Sequence, residues 1–199
     1  MALVVGASGC GPERDPPAQT AEASAARCLG EPVTINGSGR ADRLEGTSGD
    51  DVIAAGAGRD VVIASTGADR VCGGDGIDRV SGGRGADRLS GGAGNDYLDG
   101  APGADVLLGG PGGDRGPSRA PHSLGLDAGP GPDVIRGGGG PDHVDGRGGR
   151  DRLFGGGGDD VVNGDHNRDR LDGGSGTDRL WGGPGNDTCV RGETNADCE

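Results

Sequence analysis

The chain has 199 residues, of which only 30% are hydrophobic and 2% aromatic, while 49 are glycine. So few apolar side chains exclude a conventional two-layer core, and glycines that do not recur at every third position exclude collagen. The formal charge of −13, from 32 acidic and 19 basic residues, argues against nucleic acid or an anionic membrane as partner and points to cations.

Residues 1–27 open with the apolar run Met1 to Ala7 and continue as a Pro-, Ala-, Ser-, Thr- and Glu-rich stretch to Ala26. Without a basic n-region, this segment reads as a truncated export signal or a disordered linker. Ser8-Gly9-Cys10 resembles the end of a bacterial lipoprotein cleavage motif, which leaves two readings of Cys10: a lipid anchor or an unstructured free thiol. No apolar run approaches the roughly 18 residues of a transmembrane segment.

From Gly37 the chain repeats every nine residues, with aspartate sixth and an aliphatic residue eighth. The first series of aspartates is Asp42, Asp51, Asp60, Asp69, Asp78, Asp87, Asp96, Asp105 and Asp114. Leu44, Ile53, Val62, Val71, Val80, Leu89, Leu98 and Leu107 follow two residues after the first eight, and Gly116 breaks the pattern. With a cap before it, this first block is expected over residues 28–117. An irregular connection, 118–127, contains Pro121, His122, Leu124 and Leu126.

The second block, 128–190, carries Asp133, Asp142, Asp151, Asp160, Asp169, Asp178 and Asp187, with Ile135, Val144, Leu153, Val162, Leu171 and Leu180 two residues after the first six. Residues 191–199 form a carboxy-terminal cap. The step from Asp114 to Asp133 is 19 residues, one more than two repeats, so a bulge or loop must absorb the difference. Either one continuous roll or two short ones satisfies that count.

Within a unit such as Gly82 to Ser90, glycines at positions one, two and four permit turns with positive φ and close backbone approach. Asn167 stands at one fourth position, where asparagine is the residue that best tolerates such a conformation. Positions seven to nine are expected to form a three-residue strand with its middle side chain inward. Two turns and two strands make an 18-residue coil, giving an all-β parallel β-roll, a solenoid whose two sheets stack through the eighth positions. Arg43, Arg70, Arg79, Arg88, Arg152, Arg170 and Arg179, at the seventh position, then face outward as a solvated surface.

Calcium takes six to eight hard oxygen ligands, more than one turn with one aspartate supplies. Turns stacked 18 residues apart pair Asp42 with Asp60, Asp51 with Asp69 and so on, each adding glycine-stretch carbonyls. Two separate blocks would offer about a dozen such Ca²⁺ sites, and an unbroken roll could add more. Weaker sites are expected beside Arg40, at Asp114, and around Asp165, His166 and Asn167. A row of unliganded carboxylates repels itself, so binding should be coupled to folding and cooperative along the roll.

The unit Gly-Gly-x-Gly-x-Asp-x-aliphatic-x resembles the RTX, or haemolysin-type calcium-binding, repeat over roughly Gly37 to Val190. The wider run Cys28 to Gly37, with Cys72-Gly73-Gly74 and Asp187-Thr188-Cys189, resembles small exported calcium-binding proteins of high-GC Gram-positive bacteria. The resemblance implies a parallel β-roll, multiple Ca²⁺ ions and an extracellular or cell-surface location. With Cys10 set aside, four cysteines allow three pairings, of which Cys28 with Cys72 and Cys189 with Cys198 would close the solenoid ends.

No catalytic constellation emerges. His122, His143 and His166 lie in the connection, at an outward seventh position and in an irregular turn. An adhesion or surface-interaction module in which calcium is structural is the alternative to a calcium binder, with an unidentified cell-surface or extracellular partner. Tyr97, Phe154 and Trp181 are too few to define an aromatic binding face.

Overall fold

A computed structural model describes residues 27–114, 125–191, 194–196 and 198; the amino-terminal segment with Cys10 and the stretch 115–124 with Gly116 and His122 lie outside the described residues. The described chain winds into a parallel β-solenoid of two nine-stranded sheets. Sheet I runs from Ile35–Asn36 to Thr188–Val190, and sheet II from Arg43–Glu45 to Thr194–Ala196. Successive strands alternate between the sheets, so most strands pair in register with the one 18 residues further on, as Ile53 with Val71 and Val62 with Val80.

The eighth positions form the core. Ile53, Val71, Leu89, Leu107, Ile135, Leu153 and Leu171 from sheet I meet Val62, Val80, Leu98, Leu126, Val144, Val162 and Leu180 from sheet II, all fully buried. Each contributes about 1.5–3 kcal/mol, but ordering the nine residues that carry it costs several times as much. This single aliphatic column therefore cannot hold the roll by itself.

The strands differ between the sheets. Those of sheet II are two or three residues long, whereas most of sheet I run to six or seven, as Val52–Gly58 and Arg70–Gly76. The expected three-residue strand thus describes sheet II. In sheet I the ladder continues through the following turn, where Gly56 pairs with Gly74 and Gly138 with Gly156.

The sequence reading left Leu126 and Asp127 in an irregular connection, and the structure corrects this. Leu126–Asp127 is a strand of sheet II, paired with Leu98–Asp99 on one side and Val144–Asp145 on the other. Both sheets pass through the region, and Asp105 neighbours Asp133 across a coil 28 residues long. Ten residues, 115–124, are therefore inserted between a sixth position, Asp114, and a seventh, Gly125. Gly116 would offer no side chain to the core and Pro117 no N–H to the ladder. Gly125-Leu126-Asp127 supplies both.

The ends are tied covalently. Cys28–Cys72 joins the first hairpin, Arg27–Cys28 with Glu31–Pro32, to sheet I, and Cys189–Cys198 closes the last coil. Over sequence separations of 44 and 9 residues, loss of chain entropy in the unfolded state stabilises the fold by about 4 and 2.6 kcal/mol respectively.

Candidate metal centre

All sixteen register aspartates fall into two columns, one along each edge of the roll. One column holds Asp42, Asp60, Asp78, Asp96, Asp114, Asp142, Asp160 and Asp178. The other holds Asp51, Asp69, Asp87, Asp105, Asp133, Asp151, Asp169 and Asp187. At every step the backbone N–H of one aspartate donates to Oδ1 of the aspartate one coil later, at 2.6–3.0 Å. There are fourteen such rungs, two of them across the ten-residue insertion.

Oδ1 is thereby satisfied and Oδ2 is not. In Asp60, Asp69, Asp78, Asp87, Asp96, Asp105, Asp114, Asp133, Asp151, Asp169 and Asp187 it is buried and accepts no hydrogen bond. A buried acceptor left unmade costs about 1–3 kcal/mol, and more when charged. Burial accordingly pushes six of these carboxyls up from the ordinary 3.8, to about 7 for Asp105, Asp114 and Asp151 and to about 6 for Asp96, Asp133 and Asp169. The N–H bond lowers each of these values and the neighbouring carboxylates of the column raise most of them, but desolvation dominates.

The position-one glycine shows where Oδ2 points. A Cβ at Gly91 would meet Asp96 Oδ2 at 2.5 Å and the carbonyl oxygen of Gly109, one coil on, at 2.8 Å. At Gly164 the same pair is Asp169 Oδ2 at 2.8 Å and Gly182 O at 2.6 Å. At these glycines a carboxylate oxygen of one coil and a carbonyl oxygen of the next thus converge on one space, whereas Ala55, Ala64 and Ala128 stand at position one in the units of Asp60, Asp69 and Asp133. Among the described residues no three His, Cys, Asp or Glu side chains gather at one point. An ion between coils would therefore draw most of its ligands from the backbone, which suits a hard cation with a high coordination number.

The two edges differ in their turns. On the edge of Asp60 and Asp78, positions two and four are glycine with positive φ from Gly56 and Gly58 to Gly174 and Gly176. On the opposite edge, Ser65, Ala101, Arg147 and Asp165 occupy position two and Asn167 position four, at φ of 64–86°. These L-residues hold the same left-handed conformation at a cost of roughly 1–2 kcal/mol each, so the turn geometry is imposed by the stack rather than by glycine alone.

The first coil departs from the rest. Ser38 donates to Asp42 Oδ2 through its N–H at 2.7 Å and its hydroxyl at 2.8 Å. Thr47 does the same to Asp51 Oδ2 at 2.6 and 2.9 Å. Here a hydroxyl residue at position two fills the oxygen left bare in the interior.

A second acidic row escaped the sequence reading. Asp99, Asp127 and Asp145, at position nine, lie side by side on sheet II. Arg147 binds Asp127 with Nε at 3.1 Å and Nη2 at 2.7 Å, and its Nε lies 3.2 Å from Asp145. Burial pushes Asp145 up to about 6, opposed by Arg147. Arg191 likewise grips Asp172. Here arginine supplies the positive charge, and the recurrence of aspartate at position nine was the available signal.

Residues 36–71, 72–107, 81–115, 127–162 and 163–195 match the RTX calcium-binding nonapeptide repeat (4 copies). The chain belongs to the RTX calcium-binding repeat family. No curated protein matches it. The RTX β-roll is a calcium-binding structural module and not a known catalytic fold, and Ca²⁺ is the ligand the family binds.

Proposed function

We propose that this RTX chain is an exported, non-catalytic calcium binder whose roll folds as ions fill the two aspartate columns. The observation that carries the reading is the buried, unbonded Oδ2 of the interior aspartates, set beside a carbonyl oxygen of the next coil. Asp60 to Asp187 would hold the ions with glycine-stretch carbonyls. The ion would neutralise carboxylates that otherwise oppose stacking, so its binding free energy becomes folding free energy. Magnesium should substitute poorly, because it dehydrates reluctantly and demands a tighter octahedron.

Two disulfides favour an oxidising, extracellular compartment. In this reading Cys10 is the candidate lipid attachment point, which labelling of the expressed protein with a fatty-acid analogue would test. Tyr97 and Trp181 on sheet II and Phe154 on sheet I are scattered rather than stacked, which favours a calcium binder over an aromatic adhesion surface.

Calorimetric titration of the oxidised, calcium-free protein, followed in parallel by far-UV circular dichroism, tests the reading. The expected result is cooperative uptake of several ions with β signal rising in step. A protein that takes up none at millimolar calcium, or that shows full β signal without it, would overturn the proposal.

A further inference from the structure

Charge excluded anionic partners only for the metal-free chain. Seven divalent ions, half of the fourteen rungs, carry +14 against the formal −13. With seven or more such ions bound the roll would be positive, and its arginines would no longer be offset by the aspartates beneath them.

Those arginines are not evenly spread. Arg150 and Arg168 at position five and Arg152 and Arg170 at position seven surround one surface groove, with Asp151 and Asp169 in its floor. The two carboxylates are 2% and 3% exposed and the four guanidinium groups face solvent. Arg152 and Arg170 are register partners on neighbouring strands, about 4.8 Å apart. Arg147 and Arg191 are spent on position-nine aspartates, whereas none of these four forms an ion pair with a described residue.

We propose that this groove is a calcium-dependent binding site for a sulfated polysaccharide segment. The inference rests on calcium filling the column that holds Asp151 and Asp169. Paired guanidinium forks match tetrahedral oxyanions bidentately, which lysine would not do. Repetition at the coil pitch suits groups carried on an extended polymer. Among the described residues no aromatic side chain lines the groove, and Arg136 and Arg152 already lie over Phe154 at 5.3 and 5.9 Å, which disfavours stacked nucleobases as the ligand.

The probe is a fluorescent dextran sulfate oligomer, titrated at fixed millimolar calcium after calorimetry and circular dichroism have established ion uptake and folding. Binding should weaken with added salt. The double variants Arg150→Gln with Arg168→Gln, and Arg152→Gln with Arg170→Gln, should each lose about tenfold in affinity or more, with calcium uptake unchanged. Arg59→Gln with Arg79→Gln, on the opposite edge, should leave it intact. The proposal is overturned if the calcium-folded protein ignores the oligomer, or if both groove variants fold and bind as tightly as the parent. It is equally overturned if inorganic sulfate at equal sulfate concentration competes as well as the polymer, or if a single-stranded oligonucleotide binds with the same arginine dependence. Failure of ion uptake is read in the calorimeter before any anion is added, and overturns the calcium reading itself.

Discussion

In the first coil the carboxylates of Asp42 and Asp51 turn to Ser38 and Thr47, whereas in the interior, as at Asp69 and Asp87, Oδ2 is buried and bare. The same repeat thus leaves its carboxylate in two states, bonded to a local hydroxyl or buried and bare. The difference teaches that a hydroxyl at position two is not enough: Ser65 also stands there, but in the left-handed conformation at φ 86°, and Asp69 Oδ2 stays bare. The self-capped turns stand at the amino-terminal end of the two aspartate columns, where no earlier aspartate among the described residues donates its N–H to Asp42 or Asp51.

The largest expected effect separates the two kinds of turn directly. Asp87→Ala should abolish the ion sites shared with Asp69 and Asp105 and lower the calcium stoichiometry, while Asp42→Ala should change stoichiometry little. Calorimetry on both variants decides, and equal losses would erase the distinction. Next in size is the interior turn geometry. Gly92 has φ +108° and a Cβ there would run into the Gly74 carbonyl, whereas Gly139 has nothing within 4 Å. Gly92→Ala should cost at least about 1–3 kcal/mol, and Gly139→Ala close to nothing, as read by thermal unfolding in saturating calcium.

Acidity sharpens the comparison further. The interior carboxyls are raised in the folded, metal-free state, to about 6 at Asp96 and about 7 at Asp105 and Asp151. Between the ordinary 3.8 and those values the folded chain binds more protons than the unfolded one, so the stability of the metal-free roll falls as pH rises through that window. In calcium-free buffer, β signal should grow on acidification from about pH 8 to about pH 4. In calcium the trend reverses, since protons compete for Oδ2. Circular dichroism against pH with and without calcium measures both, and parallel curves would count against ionised interior aspartates. The smallest effect is Ser38→Ala, about 1 kcal/mol, seen as faster amide hydrogen exchange confined to the first coil.

Much of this was legible in the sequence because period nine carries two signals at once. Aspartate at six and an aliphatic at eight set the register, the 18-residue pairing and the core, and the cysteine positions matched the two disulfides of the structure. The insertion was misread because 19 residues are equally two repeats plus one or one repeat plus ten, and only the pairing of Leu126 with Leu98 chooses. The caps at Ser38 and Thr47 were hidden because their effect depends on a hydrogen bond to a carboxylate four residues on. Arg147 was hidden because its partner Asp127, twenty residues earlier, meets it only once coils are stacked.

Residues 115–124 enter between Asp114 and Gly125, which hold successive register positions, and neither sheet loses a strand. A corner of the wall thus works as a port through which foreign chain can leave and return without disturbing the masonry on either side. Since doubling a loop costs only about 0.6 kcal/mol, peptides of very different length could be displayed there, and a roll of this kind is a scaffold whose cargo and stiffness can be chosen separately.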